Sequence, residues 1–98
     1  MLWAKLSDRG EAFWANGLYR RVFWPQWGPT GIPFGNIHPD DKFRASVVFL
    51  KIMLEKKEGI ARVQMITSSN RLVQVRWQGR VMTDKNGETF NSIVGRII

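Results

Sequence analysis

The spacing of apolar residues changes along this chain, and each change marks a different element. Residues 2–6 are short and mildly apolar. Ser7-Asp8-Arg9-Gly10 follows, with Asp and Gly placed as a turn needs them. Residues 11–15 are rich in aromatics and suit a strand. Together these segments predict a β-hairpin. Asn16 can cap a short helix, because its side-chain oxygen accepts a bond from a free N–H of the first turn. Residues 18–24 then predict that helix, with Leu18 and Val22 four apart on one face. Pro25 stops it, since the residue before proline disfavours helical geometry.

From residue 25 to 36 the chain has three prolines and three glycines, with Trp27, Ile32 and Phe34 between them. This predicts an irregular segment that packs on the body, either as plain cover or as a lid over a cavity. The long helix begins at His38-Pro39-Asp40-Asp41. Proline fits the first helical position, and carboxylates suit the positive end of the helix dipole. The helix is expected to run to Glu58. Phe43, Val47, Leu50 and Leu54 recur at helical spacing and mark its apolar face. Val48, Ile52 and Met53 widen that side. Lys51, Glu55 and Glu58 lie towards water, Lys56 and Lys57 suit the negative end of the dipole, and Gly59 is a natural stop.

Beyond Gly59 the period falls to two. Residues 60–67 predict a strand with Val63 and Met65 on one face and Arg62 and Gln64 on the other. After the Ser68-Ser69-Asn70 turn, residues 71–83 predict a longer strand. Val73, Val75, Trp77 and Val81 share one face, while Gln74, Arg76, Gln78 and Arg80 share the other. This alternation belongs to a sheet with one buried face. Asn86-Gly87 predicts a hairpin into a last strand over residues 88–98. The inward face of that strand stays open: Phe90, Val94 and Ile98 lie on one side, Ile93 and Ile97 on the other. Strands and helices without βαβ alternation predict an α+β fold.

The length of 98 residues fits one domain spanning 1–98. The chain is 44% hydrophobic and 23% charged, an ordinary balance that argues against disorder. The absence of cysteine removes disulfides, thiolate metal sites and cysteine nucleophiles. No apolar run reaches the roughly 18 residues of a membrane span, and the N-terminus has no signal-peptide pattern. A cytoplasmic location without membrane contact is the expectation. The net charge of +7 is spread along the chain, which fits a solvated surface better than a nucleic-acid footprint.

The order of elements, and particular residues within them, resembles the PAS family. Ser7-Asp8-Arg9-Gly10 followed by Phe13-Trp14-Ala15-Asn16 is similar to the family's opening hairpin, which ends in Ala-Asn. Ile37-His38-Pro39-Asp40-Asp41 resembles the motif of a subgroup common in histidine kinases and diguanylate cyclases. Thr83-Asp84-Lys85-Asn86-Gly87 resembles the family's Asp-x-x-Gly turn, and Ile93-Val94-Gly95 its glycine-bearing last strand. The likeness covers nearly the whole chain and rests on order and spacing more than on any one motif. It implies an antiparallel five-stranded sheet with short helices and one long helix packed on one face. In such proteins the last strand leads through Asp-Ile-Thr into a signalling helix. The sequence stops at Ile97-Ile98, so the resemblance implies a piece of a larger signalling protein with its output domain to follow. There are departures: residues 25–36 replace the usual short helices, and Trp77 falls later in the central strand than the family's tryptophan near Val73 or Gln74.

On this reading, Val48, Ile52, Met65, Val75 and Trp77 are the candidates to line a small-molecule pocket between helix and sheet. A filled core is the competing reading of the same pattern. The occupant is unknown, although the missing cysteine motif excludes a flavin–cysteinyl adduct. For His38, the sole histidine, helix capping is favoured over haem ligation. No convergent acid–base pair or nucleophile stands out, so no enzyme is expected. The expected function is a sensor or relay that regulates an attached effector through a conformational bias. The alternative, which can coexist with the first, is a ligand-free module for dimerisation through a sheet face carrying Leu72 and Met82; the expected partner is a second copy in a homodimer, or a flanking signalling helix or effector domain. A basic nucleic-acid-binding domain ranks third, with aromatics between Arg62, Arg76 and Arg80 stacking on bases.

Overall fold

The computed structural model describes residues 1–8, 12–23 and 36–98. The expected turn at Arg9 and Gly10 lies outside these, as does the irregular segment up to residue 35. The elements are β1 (Leu2–Leu6), β2 (Ala12–Ala15), α1 (Gly17–Phe23), α2 (Pro39–Glu55), β3 (Gly59–Ile66), β4 (Leu72–Thr83) and β5 (Thr89–Ile97). The five strands form one antiparallel sheet in the order β2-β1-β5-β4-β3. The class is α+β, as the alternation predicts, with the N-terminal hairpin docked beside the last strand.

Both helices lie over the inner face of this sheet. There Leu2, Ala4 and Leu6 of β1, Val63 and Met65 of β3, and Val75 and Trp77 of β4 are buried. Register places Gly95 opposite Trp77 and Ile93 opposite Gly79. The inward side of β5 is therefore the one bearing Asn91, Ile93 and Gly95. Gly95 is required by close approach, because a Cβ there would stand 2.5 Å from the Trp77 ring.

Asn16 caps α1 and also ties it to β1. Its Oδ1 accepts from the Tyr19 amide at 3.0 Å and the Trp3 amide at 3.3 Å, while its Nδ2 donates to the Met1 carbonyl at 2.8 Å. The inward side of α1 is not the Leu18–Val22 pair but the neighbouring Tyr19 and Phe23, which pack ring on ring at 5.0 Å. Leu18 and Val22 flank them, half-buried against the core. The larger rings take the centre because they remove more apolar surface from water.

His38 caps α2 through Nδ1, which accepts from the Asp40 amide at 3.2 Å. Residues 36–38 run along the edge of β3: the Ile66 amide donates to the Asn36 carbonyl at 2.7 Å and the His38 amide to the Gln64 carbonyl at 2.8 Å. Asp41 then accepts from the Gln64 amide at 2.7 Å and pairs with Arg44 at 3.2 Å. That backbone bond first, and then Arg44, hold its carboxyl below the ordinary range.

Two expectations for α2 are corrected. It ends at Glu55, not Glu58, because Lys56 turns left-handed (φ 55°) and its amide closes on the Ile52 carbonyl at 2.9 Å. Lys56 and Lys57 thus lie beyond the last turn, and Gly59 opens β3 instead of stopping the helix. The buried face is also the other one. Ala45, Phe49 and Ile52 go inward, whereas Phe43 and Leu54 are 81% and 80% exposed and Val47 and Leu50 also face outward. The reason lies in the sheet. Gly59 has no side chain where Ile52 arrives, and a Cβ there would stand 2.7 Å from Ile52 Cγ1. Small Ala45 lets the helix come close, and the Asp41–Gln64 bond sets its rotation.

Candidate functional site

A cavity of about 60 Å³ lies between α2 and the inner face of the sheet. Space of this size holds about two waters or a molecule of roughly two to four non-hydrogen atoms. Val48, Ile52, Met65 and Trp77 contribute to its wall; Val75 does not, being fully buried in the core. Sequence reading missed Tyr19, Gly79 and Asn91, which also line it. Periodicity could have drawn attention to Asn91 only with the inward side of β5 known.

The wall is almost entirely apolar. The Trp77 indole N–H donates to the Met65 sulfur at 3.1 Å, so that polar group is already engaged. Tyr19 is the one titratable group in the wall among the described residues; its phenol is neutral near pH 7 in any case, and burial pushes its pKa further up. Asn91 differs from both. It is 1% exposed, and neither its Nδ2 nor its Oδ1 has a hydrogen-bond partner. A buried donor or acceptor left unpaired costs roughly 1–3 kcal/mol. Register places Asn91 between Leu6 and Val81, and its Oδ1 lies over bare Gly79, where a Cβ would come within 3.0 Å of it.

The outer face of the sheet has opposite chemistry. Arg62, Arg76 and Arg96 stand directly opposite one another across β3, β4 and β5. Like charges in that register repel. Among the described residues none of the three pairs with a carboxylate. Beside them, the Lys5 ammonium sits among three rings, 5.6 Å from Trp3, 5.2 Å from Trp14 and 5.5 Å from Phe90. Trp3 and Trp14 meet edge to face at 4.7 Å, and Phe13 meets Phe90 likewise at 5.9 Å. The Trp3 indole N–H donates to Ser92 Oγ at 3.0 Å. Leu72 and Met82 are exposed on the same face.

Elsewhere, His38 is absent from the cavity wall and is engaged in capping. Among the described residues no group of three His, Cys, Asp or Glu could hold a metal ion. Asp84 closes the β4–β5 turn, accepting from the Asn86 amide at 2.8 Å and the Glu88 amide at 3.0 Å.

No protein-family profile matches the chain, and no curated protein matches it. Solved structures do. The chain is similar to the PAS-B domain of Drosophila melanogaster Cycle, solved with bound ethylene glycol, at TM-score 0.84 and 14% identity over 100% of both chains. It is similar to a diguanylate cyclase N-terminal domain with PAS/PAC sensor from Marinobacter aquaeolei, at TM-score 0.72 and 16% identity over 99% of this chain and 92% of that one. A sensory box histidine kinase/response regulator from Burkholderia thailandensis aligns at TM-score 0.64 and 18% identity, over 99% of this chain and 73% of that one. The chain has a PAS fold.

Proposed function

We propose that this chain is a non-catalytic sensory or relay domain of a larger signalling protein. It takes a small molecule between α2 and the sheet and biases an attached effector through the outer sheet face. The observation that carries this reading is the neutral cavity with an unpaired amide in its wall. A fold shared with sensor domains of a kinase and a cyclase supports it. Val48, Ile52, Met65 and Trp77 form the apolar part of the proposed site.

The mechanism is a population shift: a ligand that favours one placement of α2 against β3 and β4 moves the equilibrium between two arrangements of the sheet. The output surface carries the Arg62–Arg76–Arg96 row, so its partner is an acidic helix or effector surface. A second copy docked with its arginine row directly over this one would oppose like charges, so a homodimer through this face would have to offset the two rows. Nucleic acid is also disfavoured, because the rings meet edge to face and offer no flat platform for successive bases. Among the described residues no helix is long and apolar enough to cross a membrane, and a cytoplasmic setting is part of the proposal.

Titration of the purified protein with small neutral molecules to about 100 mM, followed by the methyl NMR signals of Val48 and Met65, tests the sensor reading, since an occupant of so few atoms binds in the millimolar range. Saturable shifts that are lost on filling the cavity with Ile52→Trp support it. A wild-type protein that takes up nothing would leave the alternative, a ligand-free module for protein contacts. Sedimentation velocity over a range of concentrations then reports whether that module self-associates.

A further inference from the structure

We infer that Asn91 is the specificity residue of the cavity, and that it selects a small neutral molecule presenting a hydrogen-bond donor and an acceptor side by side, of the primary amide or 1,2-diol class. This rests on the reading of the cavity as a ligand site and adds to it which ligand chemistry fits.

Three observations carry the inference. The first is charge. No formally charged side chain lines the cavity among the described residues, and the Tyr19 phenol is neutral near pH 7. An ion entering there would lose its hydration without a counter-charge, so the occupant is neutral. The second is polarity. Of the polar groups in the wall, the Trp77 N–H is spent on Met65, while both amide atoms of Asn91 are unpaired. A carboxamide offers an N–H donor and a carbonyl acceptor on one planar edge, and its complement carries an acceptor and a donor at matching spacing. The third is space. The cavity of about 60 Å³ admits roughly two to four non-hydrogen atoms. Bare Gly79 lies against Asn91 Oδ1 and Ile52 Cδ1, with a Cβ there standing 3.0 Å and 3.1 Å from them. A side chain at residue 79 would crowd the amide.

The test uses probes of nearly equal size on the purified chain. Acetamide and ethylene glycol each carry the donor–acceptor pair; acetone, isosteric with acetamide, carries an acceptor only. Xenon reports whether apolar space is open at all. The side-chain amide resonances of Asn91 are followed by nitrogen–proton NMR to about 100 mM probe, since so few atoms bind in the millimolar range. The expected result is saturable shifts with acetamide or ethylene glycol, and at least tenfold weaker response to acetone. In Asn91→Leu the acetamide response falls at least tenfold while xenon still shifts the Val48 and Met65 methyl groups. An equal response to all three polar probes, or unchanged acetamide affinity in Asn91→Leu, overturns the role of Asn91. Xenon entry with no polar probe bound overturns that role too, with a buried water as the partner of the amide, and leaves an apolar cavity. Silence to xenon as well as to the polar probes overturns the cavity reading itself. The wild-type titrations decide the matter even if Asn91→Leu does not fold.

Discussion

On one side of α2, Ala45, Phe49 and Ile52 are sealed against the sheet; on the other, Phe43, Val47, Leu50 and Leu54 stand in the open. Both stripes repeat at the spacing of an α-helix, and the exposed one holds bulkier side chains than the small Ala45 of the buried one. Hydrophobicity therefore did not choose between them. The receiving surface did: β3 and β4 present bare Gly59 and Gly79 under Ile52, and the Gln64 amide holds Asp41. A small residue on the helix over a gap in the sheet brings backbones close, and close packing returns more dispersion contact than a larger residue held at a distance.

The contrast can be broken most severely at Phe49. Phe49→Ala is expected to lower unfolding free energy by about 3–5 kcal/mol in urea denaturation, as for other buried aromatics. Closing the sheet's gap comes next. Gly59→Ala should cost about 1–3 kcal/mol through overpacking. The same change beside Ile52→Ala should cost less than the sum of the two, the sign of direct coupling; strict additivity would remove Gly59 from the account of how α2 chose its face.

A smaller effect concerns rotation of the helix. The Asp41 carboxyl is held below its unfolded value by the Gln64 amide and then by Arg44. Its contribution is thus fully present above the unfolded pKa of about 3.9 and disappears as pH falls through the lower folded value. Asp41→Asn should flatten that acid limb of the stability curve while leaving neutral-pH melting cooperative. An acid limb identical to wild type would rule this bond out as an anchor. Smallest of all, Phe43→Ser and Leu54→Ser should each change stability by no more than about 0.5 kcal/mol. A loss comparable to that of Phe49→Ala would mean this stripe is covered in solution.

These same residues explain what could be read from the chain alone. The strands were legible, since alternation such as Val73, Val75 and Trp77 against Gln74, Arg76 and Gln78 admits one pairing with a core. Local chemistry was legible too: Asn16 and His38 cap their helices as their positions suggest. The buried side of α2 was not, because two opposite stripes satisfy one period and only the partner surface distinguishes them. The end of the helix escaped for a related reason. Gly59 looks like a stop until Ile52 is seen to need its missing side chain. Asn91 stayed hidden because the aliphatic residues of β5 occupy both parities, and pairing with Leu6 and Val81 was needed to turn it inward.

Finally, the arginine row across β3, β4 and β5 predicts an unusual response to ionic strength. Repulsion between neighbouring guanidinium groups weakens as the Debye length shrinks to about 10 Å near 0.1 M salt. The isolated domain should therefore melt at a higher temperature in 0.2 M sodium chloride than in a dilute buffer of about 0.01 M, the reverse of a surface knit by ion pairs. An acidic partner seated on the row would cancel that gain. Comparing the salt gain of the wild type with that of Arg76→Gln separates the row from the overall charge of +7.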